Sequence, residues 1–141
     1  MRLIALLIPF FLVLAAPVCA ETRFALVIGN DSYAQVGRLR NARSDARLME
    51  QALSAQGFEV SVLTDATLPQ MLAAIEDLAR RAPELDAAAF YFAGHGLQKN
   101  GENYLVPVDA RLRSELAIPN ETLAVDTVMR AMESAATSLI F

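Results

Sequence analysis

Hydrophobic and polar positions along this chain change their spacing several times, and each change marks an element. Residues 23–28, in RFALVIGN, are an almost unbroken apolar run that stops at Gly29-Asn30, as a parallel strand covered on both faces would. After the polar loop NDSYAQVGRLR, Ala46, Leu48, Met49, Ala52 and Leu53 recur at steps of three and four, with Asn41 placed to cap and Gly57 to stop. That spacing predicts an amphipathic helix. Phe58, Val60 and Val62 then alternate with Glu59, Ser61 and Thr64, predicting a strand over 58–63 with one less buried face. Thr67-Leu68-Pro69-Gln70 has capping-box spacing, and Leu68, Leu72, Ile75, Ala79 and Ala82 make one apolar stripe before Pro83; a second helix is expected over 68–81. DAAAFYFAG reads as a third strand buried on both faces, its alanines small enough for helices to pack closely above and below.

Strand, helix, strand, helix, strand, with each helix long enough for a crossover, implies a parallel sheet with right-handed connections and helices on both sides. The fold class is α/β. Beyond the third strand, Asn100-Gly101 sits between short extended pieces, the pattern of a β-hairpin. A third helix over 124–135 would carry Val125, Val128, Met129 and Met132, and TSLIF at the end reads as the opening of another apolar strand. With no internal repeat, low-complexity tract or Pro/Gly/Ser linker, residues 22–141 read as one domain, or most of one.

The N-terminus reads differently. Met1-Arg2 precedes LIALLIPFFLVLAA, then Pro17 and VCA, with Val18 and Ala20 at the small-residue cleavage positions. Residues 1–20 are therefore expected to be a signal peptide cleaved after Ala20, since the apolar run is short against the roughly 20 residues of a membrane span. The mature protein would be secreted or, in a bacterium, periplasmic. Cys19, the chain's one cysteine, would leave with the leader, so the domain must rest on its hydrophobic core. A net charge of −4 with scattered arginines argues against nucleic acid as a partner.

His95 is the single histidine, set between Gly94 and Gly96 where the third strand ends. In an open parallel sheet, functional groups gather beyond the carboxyl ends of the strands. The flanking glycines would leave the backbone free for tight or positive-φ conformations and for close approach of a substrate chain. Asn30 and Asp31, with Tyr33, follow the first strand and fall on the same edge, where Asn and Asp also serve as ordinary turn residues.

Three stretches in order, FALVIGNDSY, LRNARSDARLMEQALSAQGFEV and AAFYFAGHGLQKNGENYLVPVDA, resemble the caspase-like cysteine peptidases of the metacaspase, paracaspase and bacterial type. The resemblance covers nearly all of 22–141 and implies a three-layer fold, its mostly parallel sheet incomplete at the C-terminus. It implies that His95 is the catalytic histidine, acting on the leaving group while a cysteine thiolate attacks the carbonyl, and that the Gly96 N–H helps hold the oxyanion. Asp45 falls where such members carry an aspartate in the pocket for the residue before the cut, which would favour Arg or Lys. An acidic side chain in the first turn of a helix is also stabilising by itself, by roughly 0.3–1 kcal/mol, so either role is open. Caspases proper cut after aspartate with arginines in that pocket; Arg38 and Arg40 lie nearby without matching the position.

The chain departs from that pattern at its end. In the family the nucleophile follows the next strand in an Asp-Ala-Cys-Arg-like segment, whereas this sequence reads SLIF. Cys19 lies at the wrong end to substitute, so the polypeptide as written is not expected to cleave peptides. Either it is part of an active peptidase or it is a short product that keeps the shell without the chemistry. A polypeptide substrate is the expected partner, together with self- or partner association through the unfinished sheet edge.

Other classes fit less well. GNDSYAQVG has neither the GxGxxG nor the GxxxxGK[ST] spacing of a phosphate loop, and a phosphate-accepting receiver would want an aspartate where this chain has Ala-Gly-His-Gly. One imidazole among scattered carboxylates gives no metal-ligand spacing, so neither metal nor cofactor is expected. A non-catalytic module that holds a peptide segment is the alternative to the peptidase.

Overall fold

The structure, a computed structural model, describes residues 21–141; the expected leader, 1–20, lies outside the described residues. In chain order the elements are β1 (Arg23–Gly29), α1 (Ala42–Ala55), β2 (Glu59–Thr64), α2 (Leu68–Arg81), β3 (Ala87–Ala93), β4 (Gly96–Lys99), β5 (Glu102–Leu105), α3 (Ile118–Glu121), β6 (Leu123–Ala124), α4 (Val125–Met132) and β7 (Ser138–Ile140). Four strands form the main sheet in the order β2-β1-β3-β7, every pair parallel. The remaining three form a small antiparallel sheet, β4-β5-β6.

Period-two alternation along β1 decides how the main sheet is covered. Phe24, Leu26 and Ile28 join Met71, Ile75 and Leu78 of α2 and Val128, Ala131 and Met132 of α4 in one core. Ala25 and Val27 point the other way, against Ala46 and Leu53 of α1. Helices thus cover both faces, in three layers with a parallel centre, as expected for the fold class. The helix on the α1 side comes very close: a Cβ on Gly29 would lie 2.5 Å from the Ala42 carbonyl oxygen and 2.7 Å from Ala46 Cβ. Only glycine allows that approach.

Several local expectations shift by a residue or two. The buried stripe of α2 runs through Met71, Ile75, Leu78 and Ala82, while Leu72 and Ala79 are exposed. Both stripes share Ile75 and Ala82 at three- and four-residue steps, and contact with α4 selects the first. On α1, Leu48 is 64% exposed and Ala52 is also exposed, because a single layer of helix over the sheet buries a narrower face than the periodicity suggests. Asn41 occupies the start of α1 without a side-chain capping bond; the Arg43 N–H donates instead to Asp31 Oδ1 at 3.3 Å. The third expected helix is shorter, Val125–Met132, with Met129 exposed. β3 is fully buried only over Ala88–Phe90, where β7 pairs with it; Tyr91, Phe92 and Ala93 are half-buried.

Turn chemistry follows the sequence closely. Gly57 ends α1 with φ +82°, and Asn100 and Gly101 both take positive φ between β4 and β5, as a type I′ hairpin requires. The Thr67 N–H donates to Gln70 Oε1 at 2.9 Å at the start of α2.

Candidate active site

Because β1, β2, β3 and β7 all run parallel, their carboxyl ends share one edge of the sheet. There the loop Asn30–Asn41, the turn Asp65–Thr67, the bend Gly94-His95 and the chain leaving β7 come together. A small satellite core supports this edge: Tyr33, Val106 and Ala110 are buried, with Val36, Leu39, Leu97 and Val108 packed around them. It fastens the long loop after β1 to the base of the hairpin, where the Ala34 N–H also donates to the Val108 carbonyl at 3.0 Å.

His95 is half-buried and held from three sides. Its backbone N–H donates to the Tyr33 hydroxyl at 2.8 Å, its carbonyl accepts from the Val106 N–H at 2.9 Å, and its imidazole Nε2 lies 2.5 Å from the Gly37 carbonyl oxygen. A carbonyl only accepts, so that contact places the ring hydrogen on Nε2 and leaves Nδ1 as the basic nitrogen. The Tyr33 ring stands 4.7 Å from the imidazole, tilted by 57°.

The two flanking glycines do different work from that expected. Neither takes positive φ. A Cβ on Gly94 would fall 2.5 Å from both the Tyr33 hydroxyl and Phe92 Cζ, so Gly94 is needed for close packing rather than for backbone freedom. Gly96 has room, its nearest neighbour to such a Cβ being the Tyr104 carbonyl oxygen at 3.5 Å. The Val106-to-His95 bond makes those residues a hydrogen-bonded pair, so the next pair, Gly96 and Leu105, is a non-hydrogen-bonded one. The Gly96 N–H therefore points away from β5.

Asn30 is completely buried, its amide bridging the segments that follow β2 and β5: Oδ1 accepts from the Ala66 N–H at 2.8 Å and Nδ2 donates to the carbonyls of Ala66 and Val106 at 3.4 Å each. Asp31 is buried against α1, with Arg43 Nε 3.6 Å from Oδ2. Asp45 sits exposed in the first turn of α1. Burial, and then the charge of Asp45, push the Tyr91 hydroxyl above its ordinary pKa. The structure thus gathers His95, Tyr33, Gly37, Gly94 and Gly96 at one place and ties Asn30 and Asp31 to the loop beneath. Asp45 stands apart from both groups, beside β3.

Asp65 escaped the sequence reading. It follows β2 with φ +51°, a conformation Asp tolerates better than most residues. Its Oδ1 accepts from the N–H groups of Asp31 at 2.8 Å and Ser32 at 2.9 Å, and Oδ2 accepts from the Arg43 guanidinium at 3.0 Å. Partial burial opposes ionisation, but those donors together hold the carboxyl at about 2, below the ordinary 3.8. Its only sequence signal was a carboxylate at a strand end inside a polar turn. Beside it, Asp31, Arg38, Leu39, Arg40 and Arg43 line a cleft of about 520 Å³, where arginines outnumber carboxylates. Among the described residues no group of three or more His, Cys, Asp or Glu side chains could hold a metal ion.

The caspase domain model matches residues 22–141. The chain belongs to the caspase domain family, peptidase C14. Its family is one of peptidases acting on polypeptides. This caspase domain is 30% identical over 122 residues to the mucosa-associated lymphoid tissue lymphoma translocation protein 1 homolog of Mus musculus and to its counterpart in Homo sapiens. Each match covers 85% of this chain and 14% of the relative, so the chain spans about one seventh of the length of those proteins. A crystal structure of a protein from Geobacter sulfurreducens superimposes with a TM-score of 0.64 at 18% identity, covering 85% of this chain and 49% of that one. That likeness bears on the fold alone.

Proposed function

We propose that this caspase domain is the histidine-bearing part of a cysteine endopeptidase that cleaves after Arg or Lys. His95 Nδ1 takes the proton from a thiol and returns it to the leaving amine, and the Gly96 N–H donates to the oxyanion that forms when the thiolate attacks. Asp45 supplies the carboxylate for the basic side chain before the cut. The observation that carries this reading is the placement of the half-buried His95, its Nε2 engaged by a carbonyl, at the carboxyl end of β3 beside β7 in a caspase-family chain.

The thiolate has to be delivered beside that ring. β7 neighbours β3, and its pairing continues through Phe141, whose N–H donates to the Phe90 carbonyl at 3.0 Å. A cysteine placed shortly after Phe141 would emerge on the same edge as His95. We therefore read residues 21–141 as a fragment of the catalytic unit. The leader reading of residues 1–20 places it outside the cytoplasm, with Glu21 as the first residue found by N-terminal sequencing.

The test is a fusion that follows Phe141 with an Asp-Ala-Cys-Arg-like segment, assayed with Arg-, Lys- and Asp-ending reporter peptides. Cleavage of the Arg and Lys reporters, with that preference lost in Asp45→Asn, is expected; preference for the Asp reporter would overturn the specificity. One observation favours a second reading: residues 21–141 contain no cysteine, which suits a peptide-holding module without chemistry. That module would bind the reporters in the fusion and leave them uncut.

A further inference from the structure

The loop after β1 reaches His95 through a continuous set of contacts that extends well beyond the Gly37 carbonyl on its ring. It starts at Asp65, whose carboxylate takes the N–H groups of Asp31 and Ser32 and the Arg43 guanidinium. The next residue, Tyr33, is buried, and its hydroxyl accepts the His95 N–H at 2.8 Å while its ring faces the imidazole at 4.7 Å. A side chain on Gly94 would meet the Tyr33 hydroxyl and Phe92. The loop then returns to place the Gly37 carbonyl on His95 Nε2, and the Leu39 N–H closes it onto the Asp31 carbonyl at 3.1 Å.

We propose that Tyr33 is the positioning residue of His95 and that Asp65 is the latch that keeps Tyr33 and Gly37 in register with it. This rests on the peptidase reading for its purpose and on geometry for its content. The loop supplies both the acceptor for the His95 N–H and the carbonyl on its ring, and the start of that loop is held by one carboxylate whose three donors come from Asp31, Ser32 and Arg43. Releasing the carboxylate frees the loop, which moves the Gly37 carbonyl off Nε2 and with it the preference for a basic Nδ1. Asp65 never meets the substrate; it acts through the loop.

With a single histidine in the chain, selective ¹⁵N-histidine labelling of the protein gives one backbone amide signal and one pair of ring nitrogens. Tyr33→Phe keeps the ring and removes the acceptor. In that variant the His95 amide signal is expected to shift and its hydrogen exchange to quicken about tenfold, the factor one ordinary hydrogen bond carries. The Nε2–H proton, protected while bonded to the Gly37 carbonyl, is expected to broaden into exchange with water in both Tyr33→Phe and Asp65→Asn. The core amides of Val27 and Ile28 should keep wild-type exchange in both, which separates loss of position from loss of folding. If either variant leaves both the amide and the Nε2–H signals as in the wild type, the assignment is overturned. The spectra need no thiol, so a fusion that fails to cleave would defeat the peptidase reading without touching them.

Discussion

At the scale of single residues, the edge of the sheet shows two glycines with different demands. Gly94→Ala drives a methyl into the Tyr33 hydroxyl and Phe92 and is expected to destabilise by about 1–3 kcal/mol, the usual range for overpacking. Gly96→Ala meets only ordinary contact and should fall within about 0.5 kcal/mol of wild type, as substitutions without a clash generally do; urea unfolding of the two variants checks the contrast. Asp65 gives a pH signature. Its folded value near 2 lies below 3.8, so its contribution is fully present above the unfolded value and is lost as pH falls towards 2. The contribution is on the order of 1–2 kcal/mol once partial solvent screening is allowed for. Stability of the wild type should drop relative to Asp65→Asn between about pH 5 and pH 2; parallel stability curves would show that the carboxylate is not the latch. His95 was legible in the sequence because it is unique and flanked by glycine at a strand end. Tyr33 was legible as a residue of the same edge but not as the partner of His95, and Asp65 was not legible at all, because it looks like a turn residue until the fold sets it against the loop after β1.

At the scale of elements, the packing of α1 and α2 can be tested at positions where periodicity misled. Leu78→Ala, in the buried stripe of α2, is expected to cost about 2–5 kcal/mol, whereas Leu72→Ala on the exposed side should cost under about 1 kcal/mol. Equal losses would restore the stripe through Leu72. On the opposite face, Gly29→Ala places a Cβ against the backbone of Ala42, which cannot move without carrying α1 with it; a loss of roughly 3 kcal/mol or more in thermal unfolding is expected. Element order, the hairpin at Asn100-Gly101 and the parallel sheet were readable because strand and helix periods differ and turn residues are few in kind. The rotation of each helix was not. Apolar residues such as Leu48, Leu72 and Met129 fit a buried face equally well in sequence, and only contact with a neighbouring element chooses among them.

At the scale of the whole molecule, four parallel strands bring together residues from distant parts of the chain. Asn30, Asp65, His95 and the chain leaving β7 share one edge although more than a hundred positions separate the first from the last. That arrangement is what holds the backbone of the single histidine between the Tyr33 hydroxyl and the Val106 N–H and its ring against the Gly37 carbonyl. The most direct test is the kcat/KM of the cysteine-bearing fusion for an Arg-ending reporter, measured with His95 intact and with His95→Ala. A fall of about 10²–10⁴-fold, the usual share of general acid–base catalysis, is the expected result. Cleavage that proceeds unchanged without the imidazole would contradict the account.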